Sequence, residues 1–242
     1  RYSLSCRFLR DTIAIIHKGI PIVNNKFQIF QKNFFAPSPT FAKARKYAII
    51  SIFYKKAEVL IMWAYNETFY QIYPIGFCGA PTHNDGICVP RILKLKDWSS
   101  YLENLQIGSV LLNPIFESDN HGYDTRDFKK VDCRLGTNED FQDVCDDLHK
   151  HHIKIVLDGV FNHVGRGFWA FQDVQEKKWD SPYKDWFYIN FDGDSCYQDG
   201  FWYEGWEGHF ELVKLNLQNP AVTDYLLDCV RFWIETFDVE PV

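Results

Sequence analysis

Methionine occurs only once in these 242 residues, at position 62, and the chain opens on arginine. No G-x-G-x-x-G and no G-x-x-x-x-G-K-[ST] occurs anywhere. Without such backbone cradles for phosphate, nucleotide-dependent chemistry loses its main support. No apolar run reaches the ~18 residues of a membrane span, and the front carries no signal-peptide cleavage pattern. The seven cysteines are widely spaced, with no C-x-x-C among them. That removes zinc knuckles and dithiol redox motifs, and points to free thiols in a reducing compartment. The expectation is a cytoplasmic protein with no membrane partner.

Acidic residues are nearly missing from one part of the chain. Residues 1–61 hold eleven Lys or Arg against only Asp11 and Glu58, and they contain one glycine and no tryptophan. That segment carries about +9, which leaves about −15 on the remainder of a chain whose net charge is −6. Lacking turn punctuation as well, 1–61 reads as a basic extension outside the fold, with organised patterning starting at Met62. An acidic body repels phosphates, so residues 62–242 are expected to bind a neutral substrate and no nucleic acid.

Aromatic residues, by contrast, are abundant at 17%, and the chain is 46% hydrophobic, enough for one domain with a substantial core. Flat rings suit the apolar C–H faces of sugars. From Met62 onward, strand-like and helix-like patterns alternate. Phe69–Tyr73, Ser109–Leu112 and Ile153–Leu157 read as strands. Asp97 is placed as the N-cap of a helix with Trp98, Tyr101, Leu102 and Leu105 on its apolar stripe. A second helix opens at Thr137 or Asn138 and carries Phe141, Val144, Cys145 and Leu148 on one face. A third starts at Pro220, a good first-turn residue. The order is β-α-β-α-β, an irregular aromatic-rich stretch at 164–219, then α, which is α/β. A doubly wound sheet and a (β/α)8 barrel both fit that order. Each strand runs straight into polar residues at its C-terminal end, Asn113 to Asp119 and Asp158 to His163, where such enzymes place their sites.

The most informative segment is Leu157-Asp158-Gly159-Val160-Phe161-Asn162-His163. A buried strand ends there in a carboxylate, an amide and an imidazole, with apolar Val160 and Phe161 between them. D-x-V-x-N-H at the end of a third strand resembles the first conserved region of the α-amylase family, glycoside hydrolase family 13. Asn113-Pro114-Ile115-Phe116-Glu117-Ser118 followed by His121-Gly122-Tyr123-Asp124-Thr125-Arg126-Asp127-Phe128 is similar to the loop after the family's second strand. Leu135-Gly136-Thr137 with Asp140-Phe141, then Trp206-Glu207-Gly208, Lys214-Leu215-Asn216-Leu217 and Asn219-Pro220, continue the likeness in order over roughly 69–237. The neopullulanase and cyclomaltodextrinase branch is nearest.

The resemblance implies an incomplete (β/α)8 barrel: strands 1–3 in 62–163, an inserted subdomain at 164–219, and a third helix with the approach to strand 4 in 220–242. It implies an α-1,4-glucan or maltooligosaccharide as partner and a retaining mechanism. Tyr123 is then the platform under the sugar, His163 and Asp124 contact its hydroxyls, and Asp158 and Asn162 support the site. No cofactor is required. Asn162 leaves calcium open as a ligand, because its counterpart binds calcium in some branches. In the family the nucleophile and the acid/base come from the fourth and fifth strands, so no catalytic residue is expected before Val242. The chain alone is expected to be inactive, and a noncatalytic carbohydrate-binding protein stays open as the alternative.

Overall fold

The computed structural model describes residues 63–240. The expectations for 1–61 and for Met62 fall outside the described residues. Three parallel strands form the central sheet: β1 (Phe69–Ile72), β2 (Ser109–Leu112) and, further along, β5 (Lys154–Leu157), in the order β1-β2-β5. Val110, Leu112, Ile155 and Val156 are buried, as expected of strands covered on both faces. Ser109 lies opposite Phe69 and Lys154, and Leu112 opposite Ile72 and Leu157. The ladder continues one step beyond the strands, where the Asn113 amide donates to the Ile72 carbonyl and the Asp158 amide to that of Leu112, both at 2.9 Å. Asn113 and Asp158 are thus held level with each other at one end of the sheet.

Parallel neighbours require crossovers. Short α1 (Pro74–Phe77), a 3-10 stretch Arg91–Trp98 and α2 (Ser99–Asn104) lead from β1 to β2. Here the structure corrects the sequence reading: Asp97 lies inside the 3-10 stretch, and the residue before α2 is Trp98, with no side-chain cap. The buried stripe is Ile92, Leu95, Ser99 and Leu102, while Tyr101 and Leu105 are exposed. An apolar side chain at helical spacing does not by itself say which face meets the sheet.

Between β2 and the next helix lies an antiparallel pair, β3 (Phe116–Ser118) with β4 (Thr125–Val131). Helix α3 (Asn138–Lys150) follows, started by a capping box in which the Thr137 side chain and Asp140 exchange hydrogen bonds with each other's backbone amides. Its buried residues are Phe141, Val144, Cys145 and Leu148.

After β5 the chain enters β6 (His163–Gly165), α4 (Trp169–Lys177), and four short strands: β7 (Ile189–Asn190), β8 (Trp202–Tyr203), β9 (Gly205–Trp206) and β10 (His209–Lys214). β10 returns antiparallel to β6, pairing Lys214 with His163 and Leu212 with Gly165. The two ends of this long excursion are therefore hydrogen-bonded side by side. Phe168, Phe171, Phe201 and Tyr203 fill its interior. Trp169, Trp179, Tyr197 and Trp202 remain exposed.

Helix α5 (Pro220–Phe237) has Asn219 as N-cap, accepting from the Ala221 amide, and proline in its first turn. It docks through Trp233, whose ring stacks on Phe116 and Phe161 and whose Nε1 donates to the Phe128 carbonyl at 2.6 Å. Asp238 closes the helix in the left-handed conformation (φ 51°). The Glu240 amide then donates to the Ile155 carbonyl at 2.7 Å, bringing the chain back to the free edge of β5. Among the described residues no helix is long and apolar enough to cross a membrane.

Candidate active site

Four side chains from separate segments meet where the parallel strands end. Gln71 Nε2 donates to Asn113 Oδ1 at 2.9 Å, Asn113 Nδ2 donates to the Tyr123 hydroxyl at 2.6 Å, and that hydroxyl donates to Asp158 Oδ2 at 3.0 Å. The network fixes the Tyr123 ring by its polar tip, and the residue is half-buried. Burial and the neighbouring Asp158 charge push the Tyr123 hydroxyl well above the usual phenol range. Burial also raises the Asp158 carboxyl, opposed by the Tyr123 hydrogen bond. Asp158 therefore serves as an acceptor that orients Tyr123. Gln71 escaped the sequence reading because a lone amide in a four-residue strand carries no local signal.

The loop bearing Tyr123 is held from beneath by a pair the sequence did not disclose. Asp132 and Arg134 have no solvent exposure. Arg134 donates from Nη2 and Nε to Asp132, from Nη2 to the Ser118 hydroxyl, and from Nη1 to the carbonyls of Pro81, Thr82 and Asn120. One guanidinium thus ties the loop after α1 to the loop after β3. Gly122 has φ +92°, and a Cβ there would lie 3.0 Å from the Pro114 carbonyl oxygen, so Tyr123 is presented from a turn that only glycine fits well.

His163 is buried beside this network, 5.9 Å ring to ring from Trp206, and is hydrogen-bonded to the Tyr123 backbone. Burial holds its imidazole down at about 4. The unfolded chain gains this proton near pH 6.5, whereas the folded chain gains it only near pH 4. The stabilisation is thus fully present above about pH 6.5 and is lost as pH falls through about 4, with a span of about 3 kcal/mol. The urea midpoint is expected to fall between pH 7 and pH 4.5, and less steeply in His163→Gln. Equal slopes in the two proteins would show that His163 does not titrate this way.

Asn162 is exposed, with Nδ2 3.3 Å from His163 Nδ1, where it braces the ring. Asp124 is buried and turned toward the loop: Oδ2 accepts from Asn120 Nδ2 at 2.8 Å and Oδ1 lies 3.7 Å from His121 Nδ1. The structure therefore brings Tyr123 against both Asp158 and His163, with the Asp124 carboxylate near enough to His163 to act on its charge. The other strand-end carboxylates are engaged as well. Glu117 accepts from Asn84 Nδ2 and the Cys133 amide, and Arg126 clamps Asp119.

Among the described residues one group of acidic and thiol side chains comes close enough together to be weighed as a cation site. Glu117, Asp132 and Cys133 place ligand atoms within 4.8 Å of one another. The charge that such an ion would neutralise is already met by Arg134 on Asp132 and by Lys130, 3.3 Å from Glu117. A hard dication sharing space with a buried guanidinium is a poor fit, and no chemistry is assigned to calcium here.

The model of the α-amylase catalytic domain matches residues 71–240. The chain belongs to the α-amylase family. Its relatives in the family include the maltogenic α-amylase of Bacillus acidopullulyticus, 34% identical over 74% of this chain and 33% of that protein, and neopullulanase 2 of Thermoactinomyces vulgaris, 36% identical over 72% and 32%. Among solved structures, the cyclic α-maltosyl-(1→6)-maltose hydrolase of Arthrobacter globiformis superposes with a TM-score of 0.62 at 32% identity, covering 72% of this chain and 43% of that one. This α-amylase-family chain thus has a TIM-barrel-like α/β fold, and it spans about a third of the length of the curated relatives it matches.

Proposed function

We propose that this chain carries the sugar-binding half of a retaining glycoside hydrolase acting on α-1,4-linked glucans and maltooligosaccharides. Residues 62–163 would be the first three strand units of a (β/α)8 barrel, 164–219 a subdomain inserted after the third, and 220–242 the third helix with the approach to strand four. The observation that carries the reading is the Tyr123 ring, pinned at its hydroxyl by Asn113 and Asp158 while its body stays accessible. A ring fixed this way loses little entropy on meeting the apolar face of a glucose unit. His163 supplies a neutral imidazole beside it, suited to a hydroxyl. The reading needs no cofactor.

Maltotriose titrated into the chain and followed by calorimetry tests the proposal. Tyr123→Ala is expected to weaken binding by about 1–3 kcal/mol, and Tyr123→Phe, which keeps the ring, by less. Unchanged binding in Tyr123→Ala would place the ring outside the sugar site.

A further inference from the structure

Gln71 meets the candidate site only through another side chain. In the parallel register it lies opposite Leu111, and the two-residue period of a strand puts Asn113 on that same face one step further on. From there the donors run in one direction. Gln71 Nε2 donates to Asn113 Oδ1, Asn113 Nδ2 to the Tyr123 hydroxyl, and that hydroxyl to Asp158 Oδ2. Gln71 is exposed, whereas Asn113 is buried.

The direction follows from counting protons. Tyr123 has one hydroxyl proton, and an ionised Asp158 can only accept. Giving that proton to Asp158 obliges Tyr123 to accept from its other neighbour, so Asn113 must turn its NH2 toward the ring. The Asn113 side-chain oxygen then faces β1, where a buried acceptor needs a donor. Gln71 supplies one without bringing a charge. Reversing Asn113 would set its oxygen against the Tyr123 oxygen whenever Asp158 holds the proton, and its NH2 against that of Gln71.

We propose that Gln71 is a positioning residue: by donating to Asn113 it fixes the orientation of that amide, and through it commits the Tyr123 hydroxyl to Asp158. The relay stands on its geometry, while its effect on sugar binding rests on the α-glucan reading above. Gln71→Leu and Gln71→Glu in the 242-residue chain test it, and an exposed position tolerates both changes. Gln71→Leu removes the donor and adds no charge. With the Asp158 carboxyl carbon followed by NMR, the acid titration of Asp158 is expected to shift upward from the parent, because the Tyr123 hydrogen bond that opposes its rise is no longer enforced. Gln71→Glu is expected to weaken maltotriose about three- to tenfold at about pH 7.5, where the new carboxylate can only accept. Binding is expected to recover toward the parent at about pH 5, where the protonated carboxyl donates as the amide does. The other titratable groups around the relay are Tyr73, Tyr123, Asp158 and His163; burial holds both phenols up and the imidazole down, and reading each variant against the parent at the same pH cancels the change at Asp158. An unmoved Asp158 titration in Gln71→Leu overturns the proposal. So does a Gln71→Glu chain that binds like the parent at both pH values, or that loses the same fraction at both, as a lost packing or direct sugar contact would. A parent chain that binds no maltotriose overturns the α-glucan reading and leaves the Asp158 titration to decide the relay.

Discussion

Assayed as the purified 242-residue polypeptide, the chain is expected to release no reducing sugar from starch, maltotriose or cyclodextrin. A retaining glycosidase needs two carboxyl groups about 5 Å apart, one to attack and one to protonate the leaving oxygen. The candidates at the strand ends are committed elsewhere: Asp158 to Tyr123, Glu117 to Asn84 and the Cys133 amide, Asp119 to Arg126, and Asp124 to Asn120. Glu240 bonds through its amide at the level of Ile155, below the tier where Asp158 begins the site. With neither role filled among the described residues, an enhancement on the order of 10⁶-fold or more is expected to be lost. Turnover that survives rigorous purification and disappears in Asp158→Asn would sink this expectation and make Asp158 a catalytic group.

Arg134→Met is expected to cost about 3–5 kcal/mol of folding stability, because it leaves the Asp132 carboxylate buried without its partner. Domains of this kind are commonly stable by only about 5–15 kcal/mol. The substitution also strips a donor from the carbonyls of Pro81, Thr82 and Asn120. Urea unfolding measures the loss. Pairing Arg134→Met with Asp132→Leu should recover much of it, since no orphan charge then remains. A single variant within about 1 kcal/mol of the parent would show that the pair is dispensable.

Much of the sheet was legible from residue type alone. Ser109–Leu112 and Ile153–Leu157 are short apolar runs ended by polar residues, and the structure has strands at Ser109–Leu112 and Lys154–Leu157. The helix after Thr137 announced itself through its cap and its four-residue apolar face, and the Pro220 helix through its first turn. What stayed hidden depends on residues distant in sequence. Arg134 is a surface-type residue whose partners include carbonyls 52 and 53 positions earlier, and Gln71 reaches across 42 positions to Asn113. Strands β7, β8 and β9 are two residues each, too short for any periodicity. The roles proposed for Tyr123, His163 and Asp158 rest on the family likeness; the local pattern of Asp158, Asn162 and His163 alone suits an ordinary strand-end Asp–Asn hydrogen-bond pair with a solvated histidine equally well.

Gly165 sets a dimension that no side chain can adjust, and Gly167 lies two residues on. A Cβ on Gly165 would fall 2.3 Å from the Asp124 carbonyl oxygen, and one on Gly167 would meet the Arg126 side chain at 2.7 Å. At Gly165 backbone therefore rests almost directly on backbone where the excursion leaves the sheet, while at Gly167 it rests on the Arg126 side chain. A side chain at Gly165 would have to pry backbone apart, whereas exposed rings such as Tyr197 and Trp202 can be exchanged without moving it.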